Sequence, residues 1–211
     1  MPREARYDDV ALLDRSYDLL WRDGCDAVSM RDLEVALDLK APSIYRRFHS
    51  RDELIARSVD RYVERVVGGR VRRYLAGAAD PVAGLRAFFL SALAPAPGEA
   101  ITRGCLLAVT SGQAACDDPA VRSAVDSGLA VLEEAFRTTV DAAAAQGRCA
   151  PGTDPGALAT ALFLAFQGLV LLGRAGRPGL HAAAEQLLDT CFPHPATGAP
   201  ATTPPERRHR P

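Results

Sequence analysis

Three adjacent residues, Tyr45, Arg46 and Arg47, concentrate hydrogen-bond donors within one short stretch of the chain. An arginine guanidinium is a planar fork of N–H groups that can bind guanine O6 and N7 with two hydrogen bonds. A tyrosine hydroxyl can donate to a phosphate oxygen. These residue types therefore indicate contact with DNA, provided that a rigid element presents them to a groove.

Further donors stand near this cluster. We expect Arg51 to donate a hydrogen bond to a phosphate. We expect the same of the backbone N–H groups of Ser29 and Ser50, because each serine begins a helix. Lys40 is the only lysine in the chain. The complete set of predicted DNA-contacting residues is Ser29, Lys40, Ala41, Pro42, Ser43, Tyr45, Arg46, Arg47, Ser50 and Arg51.

Catalytic spacing is missing from the sequence. The four histidines (His49, His181, His194 and His209) form no HExxH motif, and no Gly-x-Ser-x-Gly or P-loop sequence occurs. We therefore predict no catalytic residue and no cofactor. A helical-bundle enzyme without a visible catalytic motif is the alternative from another functional class.

The five cysteines form no CxxC pair, so we predict neither a structural zinc site, nor any other metal site, nor a disulfide framework. The first ten residues are charged and lack the apolar region of a signal peptide, which is typical of a cytoplasmic protein.

Charge is distributed unevenly, although the formal net charge is only −1. Nine arginines between positions 44 and 74 outnumber four carboxylates, whereas the segment 75–195 is acidic. Any affinity for DNA must therefore reside in the N-terminal third. An architectural DNA-binding protein, which would be basic throughout, is a poorer interpretation.

Apolar residues recur at three- and four-residue steps, and no segment alternates as a strand does, so we predict an all-α fold. The dipeptides Asp80-Pro81, Asp118-Pro119 and Asp154-Pro155 each put a capping carboxylate before a proline at the first helical position. A capping sequence at 50–53 begins a longer helix, which we expect to weaken at Gly68-Gly69.

Two short helices separated by a turn are predicted between Met30 and Phe48. In the turn, Asp38 tolerates an unusual backbone angle. Ile44 and Phe48 are four residues apart and can pack inward, which turns the polar side chains between them outward. In a helix-turn-helix, the second helix enters the major groove with its N-terminal residues nearest the base edges.

The sequence SMRDLEVALDLKAPSIYRRFHSRDELI resembles the helix-turn-helix of TetR-family transcriptional repressors, whose pattern runs T/S-x-R-x-(I/L)-A…G-V-S…(L/I)-Y-x-H-F-x-S-K-x-x-L. The pattern is kept at Ser29, Arg31, Leu33, Leu39, Ile44, Tyr45, Phe48, Ser50 and Leu54. It departs at Asp38, Arg47 and Arg51, where the family usually has glycine, histidine and lysine.

The resemblance implies an N-terminal three-helix helix-turn-helix domain followed by a C-terminal helical ligand-binding and dimerisation domain. We expect the DNA-binding domain at 1–50, a connecting helix at 51–74 and the effector-binding and dimerisation domain at 75–193. Residues 194–211, rich in proline, threonine and arginine, are predicted to be a disordered tail.

The stretch ALATALFLAFQGLVLL at 157–172 is apolar on nearly every side, which predicts a helix buried all round. It is too short and too closely flanked by charges for a confident membrane span, so no membrane association is expected. We expect one of its faces to pack on a second copy of the chain, and the alternative is a buried helix of a monomer. Predicted dimer-interface residues are Ala157, Ala161, Ala165, Gly168, Leu172 and Leu187.

A small apolar or amphipathic effector is expected in the middle segment. Its predicted lining residues are Phe88, Phe89, Leu93, Cys105, Val109, Phe136, Phe163 and Gln167. The alternative for each of these side chains is ordinary core packing. Gln167 is the most informative, because a buried amide must find a hydrogen-bond partner.

The segment TRGCLLAV at 102–109 resembles the cysteine-bearing segment of TetR-family members that sense oxidants or electrophiles. Arg103 can favour the thiolate of Cys105. The alternative is that Cys105 is a small buried hydrophobe.

The sequence thus predicts a ligand-responsive transcriptional regulator. As a homodimer it would repress by binding a palindromic operator in double-stranded DNA, and an effector would release it. The thiol-based sensor is the alternative within the same fold.

Overall fold

The computed structural model describes residues 8–193, and every regular element in that range is helical. The predicted all-α class is therefore confirmed. Within this range the α-helices are α1 (Asp9–Asp23), α2 (Met30–Leu37), α3 (Ala41–Phe48), α4 (Arg51–Tyr62), α5 (Gly68–Tyr74), α6 (Pro81–Leu93), α7 (Leu106–Ser111), α8 (Pro119–Ala145), α9 (Pro155–Arg174) and α10 (Leu180–Cys191). The predicted tail at 194–211 lies outside the described residues.

Helix starts are fixed by local side-chain caps, as the sequence predicts. Asp80, Asp118 and Asp154 each accept hydrogen bonds from backbone N–H groups of the first turn, and each is followed by a proline. Because a helix leaves its first N–H groups unpaired, a carboxylate at this position satisfies them and interacts favourably with the helix dipole. The three aspartates therefore set where α6, α8 and α9 begin.

Helices α1 to α3 form an N-terminal domain whose apolar centre is one end of a continuous core. Leu12, Leu20, Leu33, Ile44 and Phe48 are all fully buried there. The centre continues into α4, which packs along α1 and along α8. The N-terminal domain is thus attached to the rest of the chain through packed side chains as well as through the connecting helix.

The connecting helix is interrupted, although not where the sequence suggests. A π-helical turn at Val63–Val67 separates α4 from α5, while Gly68 and Gly69 lie within regular helix. Glycine inside a helix costs only about 1 kcal/mol, so packing tolerates the pair. At the π turn Val63 meets Gly128 of α8, where an added Cβ would lie 2.6 Å from the valine Cγ2.

Five phenylalanines fill the centre of the C-terminal domain. Phe88 and Phe89 of α6 pack against Phe136 of α8 and Phe166 of α9, with ring centroids 5.1 to 5.8 Å apart. Phe163 extends the group, with its ring 6.2 Å from that of Phe136. Aromatic pairs at these separations attract beyond the effect of area burial. The cluster fastens α6, α8 and α9 together.

Candidate DNA-binding surface and effector domain

Helix α3 is held in place from its inner side. Ile44 and Phe48 are fully buried, which confirms the predicted inward pair. The turn before α3 contains Asp38 in the left-handed conformation, with φ 53° and ψ 43°. Glu34 of α2 accepts a hydrogen bond from the backbone N–H of Ala41 at 2.6 Å. The orientation of α3 is therefore fixed by buried side chains and by a contact from α2.

The outer face of α3 carries the residues suited to read a DNA groove. The side chains of Pro42 and Arg46 are exposed, and Tyr45 is 44% exposed. Across residues 8–193, the structure gives Arg46 no hydrogen-bond or ion-pair partner. Lys40, just before the helix, is exposed as well, whereas Ser43 and Ala41 are half-buried.

Arg47 is directed toward α1. Its Nη1 donates to Oδ1 of Asp9 at 2.7 Å. The same carboxylate lies 3.9 Å from Arg57, which stacks over the ring of Phe48. A base contact by Arg47 would compete with this ion pair, so Arg46 is the better placed of the two arginines.

Arg51 does not point to solvent as a phosphate donor would. Its Nη2 donates to the carbonyl oxygens of Cys25 at 2.5 Å and of Val28 at 2.9 Å. The guanidinium thereby satisfies two carbonyls in the loop between α1 and α2. Arg51 thus holds the loop that precedes the helix-turn-helix, and its contact with a phosphate stays a prediction.

The backbone N–H groups of the two capping serines are not free either. The N–H of Ser29 donates to Asp32 at 2.8 Å, within a reciprocal capping box. The N–H of Ser50 donates to the carbonyl of Phe48 at 2.6 Å. The hydrogen bonds from Ser29 hold the pKa of Asp32 below its usual range. A phosphate would have to compete with these internal hydrogen bonds, so the phosphate contacts of Ser29 and Ser50 stay predictions.

Several contributors to this surface are not apparent from sequence. Asp9, Cys25 and Glu34 fix the arginines and the start of α3, yet nothing in the helix-turn-helix pattern points to them. The exposed His49 follows α3 with φ 61° and lies beside the reading face. In the sequence, only the position of His49 directly after the recognition helix could have identified it as part of this surface.

The predicted effector-lining residues are mostly packed against one another. Phe88, Phe89 and Phe136 are at most 1% exposed, and Leu93 and Cys105 are also buried. Phe163, a member of the predicted set, borders a cleft in this part of the chain. That cleft has a volume of about 490 Å³ and lies between α8 and α9. The other lining residues stay predictions.

Gln167 and Arg70 are two of the three side chains in the described residues whose buried polar atoms lack a hydrogen-bond partner, and Arg148, through its Nε, is the third. Both amide atoms of Gln167 are buried and lack a partner among residues 8–193. Nε of Arg70 is in the same condition, while its Nη2 donates to Phe88 O at 2.7 Å and to Ser91 Oγ at 3.0 Å. Burial also lowers the pKa of Arg70. Unpaired buried polar groups are costly, so both sites favour an additional partner.

Cys105 is buried, and burial raises the pKa of its thiol. Arg103, the residue expected to favour the thiolate, is bound elsewhere. Its guanidinium donates to Glu99 at 2.6 Å and to Asp18 at 2.5 Å. Two carboxylates neutralise this arginine, so the predicted influence of Arg103 on the thiol is wrong.

Helix α9 is not buried all round in the single chain. Leu164 is 62% exposed, and Leu171 and Leu172 are 49% and 47% exposed. Together with small exposed neighbours they form a line along the helix, which we call the apolar stripe: Ala157, Ala161, Leu164, Gly168, Leu171 and Leu172. Of the other predicted interface residues, Ala165 and Leu187 are half-buried. The prediction of complete burial is wrong for one chain, because the leucines on this face remain about half exposed or more in the described residues.

By length and composition α9 could also cross a membrane, with a mean hydropathy of 1.9 and a third of its apolar window buried. The buried cores of many folded proteins contain helices that meet the same criteria, and α9 packs on α8, α6 and α10. No cluster of three or more metal-ligating side chains occurs within 8–193.

A rigid helix-turn-helix with an exposed basic, aromatic face, joined to a helical bundle, defines a helix-turn-helix regulator. Residues 12–57 match the model of bacterial regulatory proteins of the tetR family, and residues 81–186 match the tetracyclin repressor-like C-terminal domain. The chain belongs to the TetR family and is a DNA-binding transcriptional regulator.

Individual relatives agree with this assignment. The HTH-type transcriptional repressor ComR of Escherichia coli K12 is 24% identical over 170 residues, which cover 81% of each chain. A cysteine mutant of the regulator CifR, complexed with operator DNA, is 26% identical with a TM-score of 0.76 and covers 88% of this chain and 98% of that one. Reduced NemR of E. coli, at 17% identity, shares the fold with a TM-score of 0.77, covering 90% of this chain and all of that one.

Proposed function

We propose that the protein is a homodimeric repressor that binds a palindromic operator and is released by a small-molecule effector. The observation that carries this proposal is the pairing of two exposed faces on one rigid chain. One is the polar face of α3 and the other is the apolar stripe of α9. Similarity to ComR, a named repressor, and to an operator-bound CifR structure supports the same function.

A single α3 reads only a short half-site. Two-fold dimers of helix-turn-helix proteins bind two half-sites about 34 Å apart, or a multiple of that distance. The apolar stripe supplies a self-complementary surface, because small residues such as Ala161 and Gly168 let a second α9 approach closely. An isologous contact would place the same residues of both copies against each other. The half-buried Ala165 and Leu187 would lie at the margins of this dimer contact.

On the DNA side, we propose that Arg46 makes the base contact and that Tyr45 and Lys40 contact phosphates. Pro42 and Ser43, at the start of α3, would approach the bases. Arg47 would join them if DNA competes with Asp9 for its guanidinium. Base contacts supply discrimination, whereas phosphate contacts supply affinity that falls with salt.

The effector is proposed to be apolar or amphipathic. The cleft that includes Phe163 is lined by Ala130 and Ala159 together with charged side chains, including Glu133 and Arg137. Its volume of about 490 Å³ falls in the range of small-molecule sites. Gln167 lies on the same helix but does not line this cleft, so its buried, unpaired amide is proposed as a separate polar contact for a ligand.

We propose that the effector acts by linkage. A ligand that binds more tightly to a dimer with misplaced N-terminal domains lowers operator affinity, and operator DNA lowers ligand affinity by the same factor. In this scheme residues 1–50 bind DNA, residues 51–74 form the connecting helix, and residues 75–193 bind the effector and form the dimer. The protein would act in the cytoplasm, where its DNA is, and without catalysis.

The test combines a gel shift with a measurement of mass in solution. The probe is the palindrome that the purified protein selects from a random duplex library. Retention of this probe by a dimer, lost on alanine substitution of Tyr45 and Arg46 with the dimer intact, is the expected result. A monomeric protein, or retention that survives the double substitution, would contradict the proposal.

A thiol sensor is the second candidate. Cys105 follows Gly104, whose carbonyl accepts the indole N–H of Trp21 at 3.1 Å, so modification there would disturb the contact with α1. Against it stands the raised pKa of the buried thiol. The readout is operator retention after diamide treatment: loss in the wild type but not in Cys105→Ser would support sensing, and equal loss in both would exclude it.

A further inference from the structure

The last residue of α9 joins the C-terminal domain to the N-terminal one. Nη1 of Arg174 donates to the carbonyl oxygens of Trp21 at 2.8 Å and of Arg103 at 2.9 Å. Its Nη2 donates to the carbonyl of Arg22 at 2.9 Å. One side chain thus binds three backbone carbonyls from two other parts of the chain.

The end of α1 is suited to this contact. Trp21 and Arg22 lie in the last turn of α1, where carbonyl groups have no partner within the helix. A cation at this end also interacts favourably with the helix dipole. Arg174 therefore acts as a charged C-terminal cap supplied by a distant helix.

The segment between the two helices is pressed against both. Gly104 has φ +72°, and an added Cβ would lie 2.8 Å from the carbonyl of Val170 in α9. On the other side Trp21 donates its indole N–H to Gly104, and Arg103 donates to Asp18 of α1 at 2.5 Å. The junction of α1, residues 103–104 and α9 is therefore held together by several hydrogen bonds, and a cleft of about 400 Å³ lies beside Arg174.

We propose that Arg174 is the positioning residue that fixes each DNA-reading domain relative to the dimer helix. The inference rests on the proposed dimeric operator binding. The helix that ends at Arg174 also carries the apolar stripe, so a shift of α9 at the dimer contact moves α1 directly. This route is independent of the connecting helix, which the π turn at Val63–Val67 interrupts.

A positioning role predicts a change in the tolerance for half-site spacing. The palindrome selected by the wild-type protein is remade with its two half-sites moved apart or together, one base pair at a time. The wild type should prefer one spacing. Arg174→Ala should lower that preference by about tenfold or more, because it removes three charge-assisted hydrogen bonds.

Two further variants separate positioning from general damage. Arg174→Lys keeps the charge but lacks the planar fork, so it should restore only part of the spacing preference. Arg177→Ala removes an exposed arginine three residues beyond, which has no side-chain partner within the described range, and should match the wild type. Unchanged spacing preference in Arg174→Ala and Arg174→Lys would overturn the inference.

A measurement without DNA covers the case in which Arg174→Ala unfolds. A spin-labelled non-natural amino acid at Val35, which is 78% exposed on α2, reports the distance between the two domains of a dimer. The distribution of distances between the two labels should broaden in Arg174→Lys and should stay unchanged in Arg177→Ala. An unchanged distribution would overturn the inference, whereas a monomeric wild type would instead overturn the proposed function.

Discussion

Helices α3 and α9 both expose one face, but they do so for different partners. The eight-residue α3 buries Ile44 and Phe48 completely and exposes polar and basic side chains. The twenty-residue α9 buries its phenylalanines and exposes leucines, of which Leu164 is the most accessible. One face suits a hydrated polyanion, whereas the other suits a second apolar surface.

The difference shows what a hydrophobic pattern can and cannot distinguish. A polar face on a short amphipathic helix identifies itself as outward in the sequence. An apolar face does not, because the same residues satisfy a core or a partner. The exposed stripe of α9 becomes visible only once the neighbouring helices are in place.

The largest effect should come from the inner side of α3. Phe48→Ala removes a fully buried ring and should lower the free energy of unfolding by roughly 3–5 kcal/mol. Denaturant titration measures this loss. Tyr45→Ala, three residues earlier on the outer face, should change stability by no more than about 0.5 kcal/mol. Similar losses in both variants would show that α3 is oriented differently.

The outer side of α9 comes next. Leu164→Glu places a carboxylate in the proposed dimer contact. For each leucine that is lost from the contact, the free energy of dimer association should weaken by roughly 2–3 kcal/mol. Sedimentation should show a shift toward monomer, with helix content unchanged. The matched control is Ser123→Glu on an exposed position of α8. A dimer that tolerates Leu164→Glu would place the interface elsewhere.

The outer side of α3 should show a smaller and more selective effect. Arg46→Ala should reduce discrimination at one base pair by about 1–3 kcal/mol, since a bidentate contact is lost. Competition with single-base operator variants measures the change. Arg47→Ala is the comparison, because Arg47 is paired with Asp9 in the structure. A larger effect from Arg47 would reverse the ranking of the two arginines.

The smallest effect concerns the link between α1 and α4. Hydrogen bonding from Arg61, at 2.7 Å, lowers the pKa of Asp14 below its ordinary 3.8. The folded-state pKa is thus below the unfolded one, so the contribution is complete above about pH 4 and is lost as pH falls through the lower value. Asp14→Asn should therefore be less stable than the wild type at neutral pH, and the gap should close in acid. A gap independent of pH would exclude this origin.

Local signals in the sequence accounted for most of the fold. The caps at Ser29 and Ser50, the Asp-Pro starts and the inward pair of α3 all depend on neighbours a few residues away. The fates of Arg47 and Arg51 depend on Asp9 and Cys25, which lie 38 and 26 residues distant. No local pattern encodes such pairings, and for that reason the sequence presented these arginines as free donors.

The effector region was harder to predict for a related reason. Phenylalanines at helical spacing are compatible with lining a cavity or with filling it. In this protein Phe88, Phe89 and Phe136 fill the centre, whereas Phe163 borders a cleft. Which outcome occurs depends on the separation of three helices, and that is a property of the assembled domain.

The π turn at Val63–Val67 has a consequence for building chimeric regulators. A π turn accommodates an additional residue, and each residue of a helix contributes about 100° of rotation. Grafting this N-terminal segment onto a relative with an uninterrupted connecting helix would therefore turn it out of phase. A splice point placed after Val67 carries the turn along with the graft and preserves the angular register of the hybrid.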